Sequence, residues 1–217
     1  MDTHGIVKKF ETLSTPDISD SLGRFNSMVG IMPIVKGLHL AGIALTVKMY
    51  PGDELAVKIA IDKHAKEDDV IVVDSGGLDT AAVAGGLVAR KCIMKGVKGM
   101  VIDGYTRDVD DIEKLGFPIF AKGLTPNSAV SRFEGKINMP IQCGGILVRP
   151  GDFVVGDNNG DVGVPRISAE EVLKNAMRIK MLEGEYISSL EEQNWEKCQM
   201  LAEELGKVKK RYRSAIY

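Results

Sequence analysis

Between residues 70 and 120, short apolar runs alternate with helical patterns, and no other feature of the chain restricts its fold as tightly. Val70-Ile71-Val72-Val73 is apolar on both faces of any strand it forms, as strands buried under helices are. It ends in the loop Asp74-Ser75-Gly76-Gly77, after which 81–95 reads as a helix and Gly99-Met100-Val101-Ile102 as the next strand. Residues 103–108 read as a loop, 109–115 as a short helix and Phe117-Pro118-Ile119-Phe120 as a third strand. Strand, helix, strand, helix, strand predicts βαβ units with parallel strands, hence an α/β fold. A chain of 217 residues, 44% of them hydrophobic, is long enough to bury such a core without disulfides or a structural metal.

The flanks are built differently. Residues 4–24 read as two short helices broken at Leu13-Ser14-Thr15-Pro16-Asp17, with Ser14 or Thr15 as the N-cap before the proline. A strand is expected over 38–47, a turn at Pro51-Gly52-Asp53 and a helix over 54–65. From 137 the texture becomes short strands and tight turns, with Asn159-Gly160 as a hairpin signal. Ser168-Ala169-Glu170-Glu171 matches a capping box, and Val172, Leu173, Ala176, Met177 and Met181 recur at helical spacing. A second, charged helix is expected over 189–212. Its end carries Lys207, Lys209, Lys210, Arg211 and Arg213, read as cations complementing a helix C-terminus in preference to a site for an anionic partner. The expected division is a catalytic domain over 1–167 and a helical C-terminal extension over 168–217.

Composition excludes several functions. A net charge of −2, a pI near 6.0 and 6% aromatics leave neither an electrostatic footprint nor a stacking platform for nucleic acid. No apolar run is long enough to span a bilayer, and the first residues lack a signal-peptide core, so a cytoplasmic protein with no membrane partner is expected. Cys92, Cys143 and Cys198 are odd in number and lack CxxC spacing, which reads as reduced thiols; His4, His39 and His64 are scattered, so a zinc site is not expected. The phosphate-binding loops and the GxSxG elbow are missing.

In parallel α/β sheets ligands gather at the C-terminal ends of the strands. Asp74, Asp103, Arg107 and Asp108 all follow predicted strands. Arg107 can grip a carboxylate or enolate in bidentate fashion, and Asp108 can hold Mg²⁺, which needs only one or two protein carboxylates. Asp111, three residues on, shares a helix face with Asp108. The competing reading is a helix-start cluster of acids with a surface ion pair. Gly85-Gly86-Leu87-Val88 offers backbone amides to an anion or, equally, tight helix packing; spacing leaves both open.

The run Gly85-Gly86-Leu87-Val88, followed by Gly99-Met100-Val101-Ile102-Asp103-Gly104-Tyr105-Thr106-Arg107-Asp108-Val109-Asp110-Asp111, resembles the RraA-like family, which includes the 4-hydroxy-4-methyl-2-oxoglutarate aldolases. The likeness continues through Leu115-Gly116-Phe117-Pro118-Ile119-Phe120-Ala121-Lys122-Gly123, Val148-Arg149-Pro150-Gly151-Asp152 and Asp157-Asn158-Asn159-Gly160-Asp161-Val162, and covers roughly residues 10–180. It implies a β/β/α swivelling-domain-type fold, here with a βαβ half, a β-rich half and the helical extension. It also implies a lyase dependent on a divalent metal, Mg²⁺ or Mn²⁺, that cleaves a C–C bond to give pyruvate through a metal-stabilised enolate. The reactions are retro-aldol cleavage and oxaloacetate decarboxylation of a small 2-keto acid, in trimers or hexamers with sites between subunits. By position, Asp108 would hold the metal, Arg107 would contact the keto acid, the amides of Gly85, Gly86, Leu87 and Val88 would hold the pyruvyl carboxylate, and Asp111 would mark the enzymes off from the ribonuclease E inhibitor branch. That non-catalytic regulator is the alternative reading; methyl transfer ranks last because no S-adenosylmethionine loop is seen. Gly86 departs from the family, where many aldolases carry Asp or Glu for proton transfer through a water. Decarboxylation, which needs no base to break its bond, is therefore expected to outlast aldol cleavage.

Overall fold

The computed structural model of the chain describes residues 2–210. Two helices open it, α1 (Thr3–Phe10) and α2 (Thr15–Ser21), and the Ser14 side chain caps the second by accepting the N–H of Asp17. Strands β1 (Met32–Pro33) and β2 (Leu40–Lys48) follow, then α3 (Leu55–Ile59), which runs into a π-helical turn at Ala60–His64. The alternating centre is β3 (Asp69–Asp74), α4 (Gly86–Met94), β4 (Gly99–Thr106), α5 (Val109–Leu115) and β5 (Ile119–Leu124). Five short strands come next: β6 (Lys136–Ile137), β7 (Ile141–Cys143), β8 (Ile146–Val148), β9 (Phe153–Asp157) and β10 (Gly160–Val164). Helices α6 (Ala169–Glu191) and α7 (Trp195–Lys210) complete the described chain.

One sheet runs in the order β1-β5-β4-β3-β2-β9-β10, with β6 paired to β2. Strands β2 to β5 are parallel neighbours, as the alternation requires, and β9 and β10 extend the sheet as the antiparallel hairpin signalled by Asn159-Gly160. The β7–β8 hairpin stands apart and lies on one face. Side-chain alternation divides the core. Ile71, Val73, Met100 and Ile102 face α3, α4 and α5; Val70, Val72, Val101 and Phe120 face the β7–β8 hairpin. All four residues of Val70-Ile71-Val72-Val73 are fully buried, so the doubly covered strand is as its composition demands. A third cluster packs α1, α2 and the first turns of α6, through Val172, Leu173 and Ala176, against β9 and β10.

Several boundaries differ from expectation. Helix α4 starts at Gly86 rather than near 81, because residues 82–84 are drawn into extended pairing: Ala82 N–H bonds to Asn127 O, Val83 N–H to Tyr105 O, and Ala129 N–H to Ala82 O. Strand β4 continues to Thr106, so Asp103 lies inside a strand rather than in a loop, beside a register shift between Ile102 and Tyr105. The capping box does not form: Ser168 has helical backbone angles, donates its hydroxyl to Pro165 O, and follows a 3-10 turn, Arg166–Ser168. Helix α6 runs to Glu191, beyond the expected start of the second helix, and breaks where Gln193 adopts positive φ. Of the basic C-terminal residues, Lys209 is committed to Asp20 (2.6 Å) and Glu183 (2.8 Å), tying α7 to α2 and α6; Arg211 and Arg213 lie outside the described residues.

Candidate active site

Two hydrogen bonds set the geometry. At the end of β4, Thr106 Oγ1 donates to Ala84 O (3.0 Å), and Arg107 N–H bonds to the same carbonyl (3.1 Å). The turn into α5 is thereby fastened to the segment entering α4, and the two motifs singled out in the sequence, 22 positions apart between Gly86 and Asp108, become neighbours.

Asp108 sits at the N-terminus of α5 in the left-handed region, φ 61° and ψ 41°, a conformation costly for a residue with a Cβ. It turns its carboxylate onto the start of α4, where Oδ2 accepts the N–H of Gly86 at 3.1 Å; Arg107 Nε lies 3.6 Å from the same oxygen. The negative end of this group thus meets the positive end of a helix dipole and a guanidinium. Gly85 is dictated by the arrangement, since a Cβ there would lie 2.4 Å from Asp108 Oδ2. Asp111 covers Gly86: a Cβ at 86 would fall 3.0 Å from Asp111 Cβ and 3.2 Å from its Oδ2.

The first bond within α4 runs from Ala89 N–H to Gly85 O, which leaves the amides of Gly86, Leu87 and Val88 outside the helix ladder. Asp108 takes that of Gly86. Among the described residues the amides of Leu87 and Val88 have no partner, so of the four residues singled out in the sequence these two present free N–H groups. Arg107 and Asp108 are 37% and 40% exposed, and Leu87 stands 80% exposed beside them, so the site lies open on the surface of a single chain.

The structure brings together Gly85, Gly86, Leu87, Val88, Arg107, Asp108 and Asp111, and it separates Asp74 and Asp103 from them. Those two acids point to the opposite face of the sheet, toward the β7–β8 hairpin, where Lys48 pairs with Asp74 and Lys122 with Asp103. They belong to the other face because they share strand parity with Val72 and Val101. Sequence reasoning passed over Lys48 and Lys122, although both occupy that same parity at strand ends.

Among the described residues no three His, Cys, Asp or Glu side chains converge as a metal cage. The donor set fits a hard divalent cation that keeps its waters. Asp108 Oδ2 is held by Gly86, Asp111 stands on the next helical turn, and both oxygen-rich groups are accessible. The cysteines are free and buried, and burial pushes the Cys92 thiol up to about 12, so none is a ready nucleophile.

The family model for RraA-like proteins, aldolase/RraA, matches residues 15–162. The chain belongs to the RraA-like family. A relative from Halalkalibacterium halodurans, named "Putative 4-hydroxy-4-methyl-2-oxoglutarate aldolase", is 39% identical over 173 residues, covering 79% of this chain and 82% of its own. An uncharacterized protein from Pseudomonas syringae pv. tomato superposes with a TM-score of 0.79 at 30% identity, over 87% of this chain and 93% of that one. Streptomyces coelicolor RraAS2, described as an unusual member of the RNase ES inhibitor RraA protein family, superposes with a TM-score of 0.76 at 29% identity, over 83% and 94%. The mixed α/β architecture with its helical C-terminal part is therefore the RraA-like fold. Among the described residues no helix is long and apolar enough to cross a membrane.

Proposed function

We propose that this RraA-like chain is a metal-dependent lyase releasing pyruvate from a 2-keto acid, by oxaloacetate decarboxylation and, less readily, by retro-aldol cleavage of substrates of the 4-hydroxy-4-methyl-2-oxoglutarate type. One observation carries the reading: Arg107, Asp108 and the open start of α4 converge on a single point, held by the Thr106 and Arg107 bonds to Ala84. That point offers a cation, a carboxylate and two free amides within reach of one small acid.

The two open amides at Leu87 and Val88 bind the substrate carboxylate, as helix starts bind anions. Arg107 faces the keto oxygen, where negative charge develops as the C–C bond breaks and electrons move toward an enolate. Asp108, with Asp111 through water, would hold Mg²⁺ or Mn²⁺, which supplies Lewis-acid stabilisation of that charge. Gly86 brings no acid of its own, and among the described residues the carboxylates placed against it are those of Asp108 and Asp111. With Asp108 committed to the cation and Asp111 to its waters, neither is free to take the aldol hydroxyl proton, whereas decarboxylation requires no such transfer.

The exposed Leu87 beside the site suits closure by a second copy of the chain in a trimer or hexamer, a reading in keeping with a soluble cytoplasmic protein. The second reading is a non-catalytic regulator of the ribonuclease E inhibitor type, against which the intact Arg107, Asp108 and Asp111 speak. The test compares pyruvate release from oxaloacetate and from 4-hydroxy-4-methyl-2-oxoglutarate at saturating Mg²⁺. With two pyruvates counted for each retro-aldol event and one for each decarboxylation, faster turnover of oxaloacetate is expected; equal turnover would remove the role assigned to Gly86.

A further inference from the structure

On the opposite face of the sheet, at the C-terminal ends of its four parallel strands, lies a row of charge that the lyase site does not use. Lys48, Asp74 and Asp103 are direct register partners on β2, β3 and β4, and Lys122 joins from β5. Lys48 Nζ lies 2.5 Å from Asp74 Oδ2, and Lys122 pairs with Asp103. The other oxygens are held too: Asp74 Oδ1 accepts the N–H of Gly76 (2.9 Å), and Asp103 Oδ2 that of Gly144 in the β7–β8 turn (2.8 Å). Read across the strands, the order is plus, minus, minus, plus.

Stability does not explain this row. Like charges facing each other on neighbouring strands repel, and covered ion pairs can commonly be replaced by apolar residues at no loss. The positions just before, Val72 and Val101, are apolar on the same face and fully buried. The row also has space above it. A cavity of about 370 Å³ opens over it, walled by the Gly76–Gly77 turn, Gln142 and the Gly144–Gly145 turn. The aspartates form the covered floor, their side chains 13% and 16% exposed, while the lysine side chains are 43% and 39% exposed. Each ammonium has three donors, so each keeps donors to spend on a ligand, and each carboxylate oxygen has a further lone pair.

We infer that this cavity is a second small-molecule site, for a dicarboxylate that carries hydroxyl groups between its acid ends. Such a molecule presents minus, donor, donor, minus, the complement of the row. Strands lie about 4.8 Å apart, so Lys48 and Lys122, three strand spacings from one another, are rooted roughly 14 Å apart, and each leans inward onto its acid, which leaves a span suited to a four- to six-carbon diacid. A bare metal ion is disfavoured because, among the described residues, no third His, Cys, Asp or Glu converges on the two acids. The proposal is independent of the lyase reading.

The test is titration calorimetry on the metal-free full chain in EDTA, with galactarate and malate as probes and adipate as the hydroxyl-free control. Saturable binding is expected that weakens about ten-fold or more in Lys48→Met and in Lys122→Met, survives in Lys122→Arg, and is unchanged in Arg107→Ala. Adipate should bind about ten-fold more weakly than galactarate. Circular dichroism confirms that each variant is folded. No saturable binding, equal affinity for adipate and galactarate, indifference to both lysine changes, or loss in Arg107→Ala with the lysines irrelevant would each overturn it. Loss of lyase activity elsewhere would leave these readouts unmoved.

Discussion

Glycine at position 85 is fixed by the carboxylate that faces it. A methyl group there would sit 2.4 Å from Asp108 Oδ2, closer than any real contact, so Gly85→Ala must push Asp108 away from the Gly86 amide and Arg107. The expected outcome is a folded protein whose pyruvate release falls about 10²- to 10³-fold, the usual cost of losing one preorganised stabiliser. Steady-state assay beside a thermal melt checks both halves. Asp161 makes a second test at this scale. It is 2% exposed, neither carboxyl oxygen has a partner among the described residues, and burial pushes its titration well above the ordinary carboxylate range. The unfolded chain releases this proton near 3.8 while the folded one retains it, so the folded state loses ground as pH rises above about 4. Asp161→Val should therefore raise stability at pH 7 by about 1–3 kcal/mol, with the gain shrinking toward pH 4. Melts across that range measure it.

At the scale of elements, the strands were the readable part. Val70-Ile71-Val72-Val73 and Gly99-Met100-Val101-Ile102 carry their burial in their composition, and helix α5 starts and stops where its pattern says. The candidate site was legible as two motifs, but not the contact between them, because Thr106 and Arg107 reach Ala84 only after the sheet has formed. The start of α4 was misplaced for the same reason: the Ala-rich stretch before Gly86 has helical propensity, yet long-range partners at Tyr105 and Asn127 claim its backbone. Asp53 was read only as a turn residue. It is a buried clasp, accepting the N–H groups of Leu55, Arg132 and Phe133 and so fixing the loop that follows β5 against α3. Burial alone would raise its titration, but those amides outweigh burial and hold it below 3.8. Its contribution is thus whole above about pH 4 and is lost as acid protonates the folded carboxyl. Asp53→Asn should destabilise by about 1–3 kcal/mol at pH 7, with the difference fading in acid; denaturant titrations at two pH values decide it.

For the whole molecule, the sheet keeps two groups of charged residues apart. One face, under α4 and α5, ends in Arg107 and Asp108; the other, under the β7–β8 hairpin, ends in the Lys48–Asp74–Asp103–Lys122 row. Helix α6 is no loose appendage in this arrangement, since Val172, Leu173 and Ala176 are buried with α1, α2, β9 and β10. Acids that are close in sequence, Asp103 and Asp108, thereby end on opposite faces of the sheet. It also makes the central claim, a lyase site at Arg107 and Asp108, open to a direct measurement. Pyruvate release from oxaloacetate is followed with Mg²⁺ or Mn²⁺ and with EDTA, corrected for the metal-only rate, in the unaltered chain and in Arg107→Ala and Asp108→Ala. The account predicts turnover that requires the metal and falls about 10²-fold or more in each variant. Turnover that survives both substitutions, or a folded protein silent toward the substrate at every metal concentration, would contradict it.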